Sequence, residues 1–298
     1  MPEPDAEGKI GDMTRVAVTG GSGKLGRAVV TDLLDHGYEV HVLDLVPPGD
    51  PRARYTRAEL TDFGQTLGAL TGLDDRYDRL DAVVHLAALP APGVAPDAVV
   101  FHNNVLSSYN VFSSARRAGV RNVVWASSET LLGLPLDTPP VAIPIDETQE
   151  PRPESAYSLG KLVDETIAAQ FCRWDPELKM IGLRFSNVME PSDYARFPDF
   201  DADARLRKWN LWGYIDARDG AQAVRKALDY PHPGLEIFII ANADTVMSRP
   251  SAELAAEVFP GVPLTKQPDG TETLLSIDKA RRLLGYEPKF SWRGQLAT

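Results

Sequence analysis

Short apolar runs alternate with amphipathic stretches along most of the chain. Residues 15–19, 39–44, 55–60, 81–86, 122–127 and 180–185 are brief runs of mainly β-branched and aliphatic residues and read as strands. Between some of them, 24–36, 98–118 and 155–174 carry apolar residues at three- and four-residue spacing and read as helices. Strands separated by helices predict parallel βαβ units, and so an α/β fold with a doubly wound parallel sheet.

The organisation changes after residue 187. Residues 189–212 mix Pro, Asp, Arg and aromatics with no period and read as loop and short helix, a candidate lid over a substrate. A helix at 217–228, a strand at 236–241 and helices at 251–258 and 277–284 follow, read as a small C-terminal substrate lobe. The expected division is a tail at 1–13, a nucleotide-binding unit at 14–187, and a lid and lobe interleaved with the sheet at 188–298. Six prolines between 135 and 153 forbid regular structure there, leaving a surface crossover or a rim of the active site.

Composition narrows the function classes. Thirty-one Lys and Arg against 42 Asp and Glu give a net charge of −11, the wrong sign for a phosphate-backbone binder, so nucleic acid is not an expected partner. No apolar run approaches the ~20 residues of a membrane span, and the polar, acidic residues 1–12 have neither the basic nor the apolar region of a targeting peptide. Met13 could serve as the natural start. The single cysteine, Cys172, sits in an apolar helical stretch and reads as a buried inert thiol, which fits the reducing cytoplasm. The histidines have no metal-ligand spacing, and no metal is expected.

The chemistry concentrates at strand ends. The first strand runs into Thr19-Gly20-Gly21-Ser22-Gly23-Lys24-Leu25-Gly26 and then directly into an amphipathic helix. Glycines at 20, 23 and 26 permit a tight turn, close approach to a pyrophosphate, and close helix–strand packing, in a Rossmann-type strand–turn–helix context. The second strand ends in Asp44, where a carboxylate can accept both adenosine ribose hydroxyls and repel a 2′-phosphate, favouring NAD over NADP. Later, Tyr157 and Lys161 stand four apart at a helix start and so project from one face, while Ser127 and Ser128 end the preceding strand. A phenol titrates near 10, so Tyr157 needs the positive charge of Lys161 and an oxidised nicotinamide to act as a base at neutral pH. Ser128 would polarise the carbinol oxygen.

At these residues the chain resembles the extended short-chain dehydrogenase/reductase superfamily, in its NAD-dependent epimerase/dehydratase branch. The resemblance runs from about residue 14 to 288 and takes in further segments. It implies cofactor contacts from Gly20, Gly23, Lys24, Leu25, Gly26 and Asp44, from Leu86-Ala87-Ala88 after the fourth strand, and from Asn104 on the long helix. It also implies Ser128, Tyr157 and Lys161 as the catalytic set, Phe185 packed on the nicotinamide, and Asn187 offered to the substrate. Glu59, followed by Leu60, takes the place of an Asp that usually meets the adenine amine, and Asp62 is left to cap the next helix. Arginines that grip the diphosphate in nucleotide-sugar epimerases are missing, replaced by Trp212-Gly213 and by Gln267-Pro268-Asp269-Gly270.

The resemblance implies a sugar or nucleotide-sugar substrate, and a homodimer built on the long helix and the Tyr-bearing helix. Glu129, Arg196 and Arg205 are candidate substrate contacts; Arg207, Lys208, Trp209 and Trp212 lie in the same lid. His85 is expected to be structural. Three readings stay open: an epimerase or dehydratase that returns the hydride, a dehydrogenase of a free uronic acid or aldose, and a non-catalytic NAD-binding regulator.

Overall fold

The computed structural model describes residues 14–72 and 79–295, so the tail expected at 1–13 lies outside the described residues. The first half runs β1 (Arg15–Thr19), α1 (Lys24–Asp35), β2 (Glu39–Asp44), β3 (Arg54–Arg57), α2 (Phe63–Thr71), β4 (Ala82–His85) and α3 (Asp97–Arg117). Then come β5 (Asn122–Ser128), α4 (Ala156–Trp174), β6 (Lys179–Phe185), β7 (Val188–Met189), β8 (Ile215–Asp216), α5 (Ala217–Asp229) and β9 (Gly234–Ile240). Helices α6 (Ser251–Val258) and α7 (Asp278–Leu284) lie near the C-terminal end.

Seven strands form one parallel sheet in the order β3-β2-β1-β4-β5-β6-β9. Alternation along each strand divides two cores. Val16, Val18, Val84 and Val124 point to the side packed by α1 and α5, while Ala17, Val83 and Val123 point to the side of α2, α3 and α4. Because both faces are covered, the strands read as near-continuous apolar runs rather than polar–apolar alternation. Strand order reverses between β1 and β4, which opens a crevice at the carboxyl ends of these strands, where ligands bind in such sheets.

Three elements depart from the sequence reading. The strand expected at 55–60 ends at Arg57, and the chain leaves the sheet edge so that Glu59 and Leu60 wall the crevice. Helix α2 then follows, its N-terminus capped by Asp62, whose carboxylate accepts from the Gln65 amide at 3.0 Å. The strand placed in the C-terminal lobe is β9, the seventh strand of the main sheet, hydrogen-bonded along β6. The crossover that delivers it is α5, which packs on α1 and is tied there by Arg225 and Asp32 at 2.8 Å.

The proline-rich stretch buttresses the lobe rather than rimming the crevice. Ile143 and Ile145 are buried and donate backbone hydrogen bonds to Pro263 and Leu274. The stretch expected to form a lid is two 3₁₀ segments, Pro191–Ala202 and Ala204–Asn210, framed by the short β7–β8 pair. Among the described residues no helix is long and apolar enough to cross a membrane, and no group of His, Cys, Asp or Glu converges as metal ligands. Cys172 is half-buried, and burial pushes its thiol up to about 11.

Candidate active site

The glycine turn brings backbone against backbone. Gly20 has φ +69°, and a Cβ there would lie 2.6 Å from the Ala87 nitrogen. A Cβ at Gly26 would overlap the Gly20 carbonyl oxygen. Only glycine allows the turn to sit this close to the β4 end while the free N–H groups of α1 face the crevice. Asp44 is fixed beside it: one carboxylate oxygen accepts from the Ser22 amide at 3.0 Å, the other from Leu45 at 2.7 Å and Val46 at 3.3 Å. Glu59 accepts from the amide and hydroxyl of Thr61.

A single elongated cavity of about 850 Å³ runs from this end to the lid. Gly20, Gly23, Lys24, Leu25, Gly26, Asp44, Glu59, Leu60, Leu86, Ala87, Ala88 and Phe185 line it, as do Ser128, Tyr157, Lys161 and Asn187. The volume, the glycine cradle and the fixed carboxylate together fit a dinucleotide such as NAD.

Helix α4 supplies the far end. Ser155 caps it, in a reciprocal pair with Ser158, so its first turn is rigid where Tyr157 emerges. Lys161 Nζ donates to the Ala126 carbonyl at 2.6 Å, lies 3.7 Å from Asp164 Oδ2, and stands 5.9 Å from the Tyr157 ring centre. The two serines of β5 do different work. Ser127 Oγ donates to Glu165 at 2.7 Å, and Glu165 also holds Arg184 through two hydrogen bonds. Ser128 Oγ accepts from the amide and hydroxyl of Thr130, which leaves its own proton to be donated into the cavity.

His85 lies beneath, bonded to Thr19 at 2.7 Å and Ser108 at 3.3 Å. Burial, with Lys161 adding to it, pushes its imidazole down to about 3, so it is neutral and structural.

Four residues expected at the ligands stand off the cavity wall. Asn104 is buried, and its amide pairs with both backbone groups of Leu89, which shapes the loop after β4. Glu129 turns inward from the 3₁₀ turn after β5, where Ser186 and Asn210 donate to it. Burial raises its carboxyl to about 7, against the pull of those donors and of Arg207. Arg196 and Arg205 are exposed on the outer side of the lid.

The lid arginine that does point inward is Arg207, 7% exposed, at a break in the 3₁₀ geometry that no sequence period marks. Trp212 is core, its indole N–H donating to Ala204, whereas Trp209 lines the cavity. Thr130, Ser107 and the segment Leu89 to Pro92 also line the wall and were not singled out by sequence. Among the described residues, the wall carries the cations Lys24 and Lys161 and no arginine.

A dinucleotide cradle joined to a Ser, Tyr and Lys set defines an NAD-dependent enzyme of the short-chain dehydrogenase/reductase type. The chain belongs to the NAD dependent epimerase/dehydratase family, whose sequence profile matches residues 16–241. It is 30% identical, over an alignment 340 positions long, to UDP-glucose 4-epimerase 3 of Oryza sativa subsp. japonica, covering 96% of this chain and 88% of that protein. Among solved structures, a UDP-galactose 4-epimerase superposes with TM-score 0.69 at 26% identity, covering 95% of this chain and 96% of that one. A mutated uronate dehydrogenase shares the fold, with TM-score 0.68 at 21% identity over 96% of this chain and 85% of that one.

Proposed function

We propose that this enzyme transfers hydride between NAD and a secondary carbinol carbon of a sugar or nucleotide sugar, in the epimerase/dehydratase manner. The observation that carries the reading is the shared wall: Ser128, Tyr157 and Lys161 line the same cavity as the glycine turn and Asp44. NAD, when bound, supplies the hydride acceptor. Backbone N–H groups at Lys24 to Gly26 would hold its pyrophosphate, Asp44 its adenosine ribose, and Lys161 its nicotinamide ribose.

The protein's own groups then handle the proton. Ser128 donates to the carbinol oxygen and fixes it against Tyr157, which takes the hydroxyl proton as the C–H bond breaks. Lys161 is held by the Ala126 carbonyl, so its ammonium stays beside the Tyr157 ring. Positioning and this acid–base step carry the rate.

A specific observation favours a second reading, a dehydrogenase of a free uronic acid or aldose. Among the described residues, the cavity wall has no guanidinium with which to hold a nucleotide diphosphate. The two readings part on the fate of the hydride. Incubating the protein with NAD and either UDP-glucose or free D-glucuronate, while following NADH absorbance and product stereochemistry, separates them. Inversion of the nucleotide sugar without NADH accumulation supports the first, and net NADH with the free acid supports the second. No reaction with either class of sugar contradicts both.

A further inference from the structure

The buried lid arginine sets the direction in which Asn187 faces. Asn187 lies on the cavity wall just beyond β6, and its Oδ1 accepts from Nη1 of Arg207 at 3.2 Å. A guanidinium carries donors only, so the amide atom turned toward Arg207 has to be the oxygen. The amide NH₂ therefore points away from Arg207.

Arg207 is itself held in place. Its Nη2 donates to the Gly213 carbonyl at 3.0 Å, and its guanidinium lies over Trp209 at 4.7 Å and Phe200 at 5.2 Å. Glu129, buried within electrostatic reach of it, accepts from Ser186 at 2.6 Å and Asn210 at 3.1 Å. Neither Arg207 nor Glu129 lines the cavity. A ligand there meets a neutral amide, with the guanidinium one layer back.

We propose that Arg207 is a positioning residue that turns the Asn187 NH₂ toward an acceptor oxygen of the sugar itself, and so helps set which substrate binds. The inference rests on the reading of this end of the cavity as the sugar site. Because the group that meets the ligand is a neutral amide and the guanidinium is set off the wall, the selected group is a sugar oxygen rather than a diphosphate.

The first test needs no substrate. In ¹⁵N-labelled protein the Asn187 side-chain amide is identified by its loss in Asn187→Ala; it should shift in Arg207→Met and stay near its native position in Arg207→Lys, which retains a donor. A paired variant, Glu129→Gln with Arg207→Met, avoids stranding a buried carboxylate and should show the same shift. An unmoved amide in both Met variants overturns the proposal.

The second test measures binding of UDP-glucose and of D-glucuronate to the NAD-loaded protein by calorimetry. Arg207→Met should weaken whichever probe the native protein binds by ~3–10-fold, the worth of one neutral hydrogen bond, with NAD affinity within about twofold. In an Asn187→Ala background the same change should have no further effect. Additive losses, or a parallel loss of NAD binding, mark a merely structural residue and overturn the proposal. If the amide moves while the native protein binds neither probe, the sugar-site reading falls, and with it the claim on substrate choice.

Discussion

Lys161 Nζ lies 3.7 Å from Oδ2 of Asp164, a carboxylate with no solvent exposure. Burial raises Asp164 to about 6, helped by Glu165 and opposed by Lys161 and Ser108. Above that pH the carboxylate is ionised and offsets part of the positive field that Lys161 places on Tyr157. Asp164→Asn removes that titration, so the change in kcat/KM expected near pH 6 in the native protein should be absent from the variant. The pH–rate profiles of both proteins check it; the same profile near pH 6 in the two would show that Asp164 does not act on the base.

Glu129 gives stability a pH dependence of definite sign. Its folded-state value of about 7 lies above the ordinary 4.5, so the folded protein holds this proton more tightly than the unfolded chain. The contribution is complete below about pH 4.5 and is lost as pH rises through 7. Glu129→Gln removes it, so the Tm of the native protein relative to this variant should fall across that window, by the equivalent of roughly 3 kcal/mol. Thermal melts of both proteins across the window test the sign.

Cofactor choice follows from Asp44. Its carboxylate is pinned by three backbone amides on the cavity wall, where it can accept ribose hydroxyls but repels a 2′-phosphate. NAD should bind at least about tenfold tighter than NADP, since a charge-assisted bond is worth ~1.5–3 kcal/mol. Asp44→Ala should narrow the ratio. Calorimetry with both cofactors decides it, and equal affinities in the native protein would contradict this role.

The paired serines of β5 should separate cleanly. Ser128→Ala removes a donor from the cavity and should lower kcat ~10²-fold or more. Ser127→Ala removes a bond to the buried Glu165 and should cost ~1–2 kcal/mol of stability with kcat little changed. Steady-state rates and melts on the two variants check this, and the reverse pattern would exchange their roles.

How much of this was legible in the sequence depends on range. The β1 turn and α1 were readable because the glycines, the strand and the helix period lie within about a dozen residues. The placement of Tyr157 and Lys161 followed from helical spacing alone. Helix α2 was hidden by Gly64 and Gly68, which blur its apolar period, although its cap Asp62 was visible. The lid was the hardest part. Arg196, Arg205 and Arg207 are alike in sequence, and a break in 3₁₀ geometry, with Arg207 at φ −122°, decides which one turns inward. Asn104 shows the same limit: a cofactor contact and a brace for Leu89 differ by which backbone the fold brings alongside.

The central claim is that Tyr157 takes the carbinol proton as hydride passes to NAD. The most direct measurement is single-turnover NADH formation with native protein and Tyr157→Phe, using UDP-glucose and D-glucuronate as the sugars. The native protein should give NADH with one of them, transiently or to accumulation. Tyr157→Phe should bind NAD equally well and form NADH ~10²–10⁴-fold more slowly. An undiminished rate in Tyr157→Phe, or no NADH from the native protein with either sugar, would contradict the account.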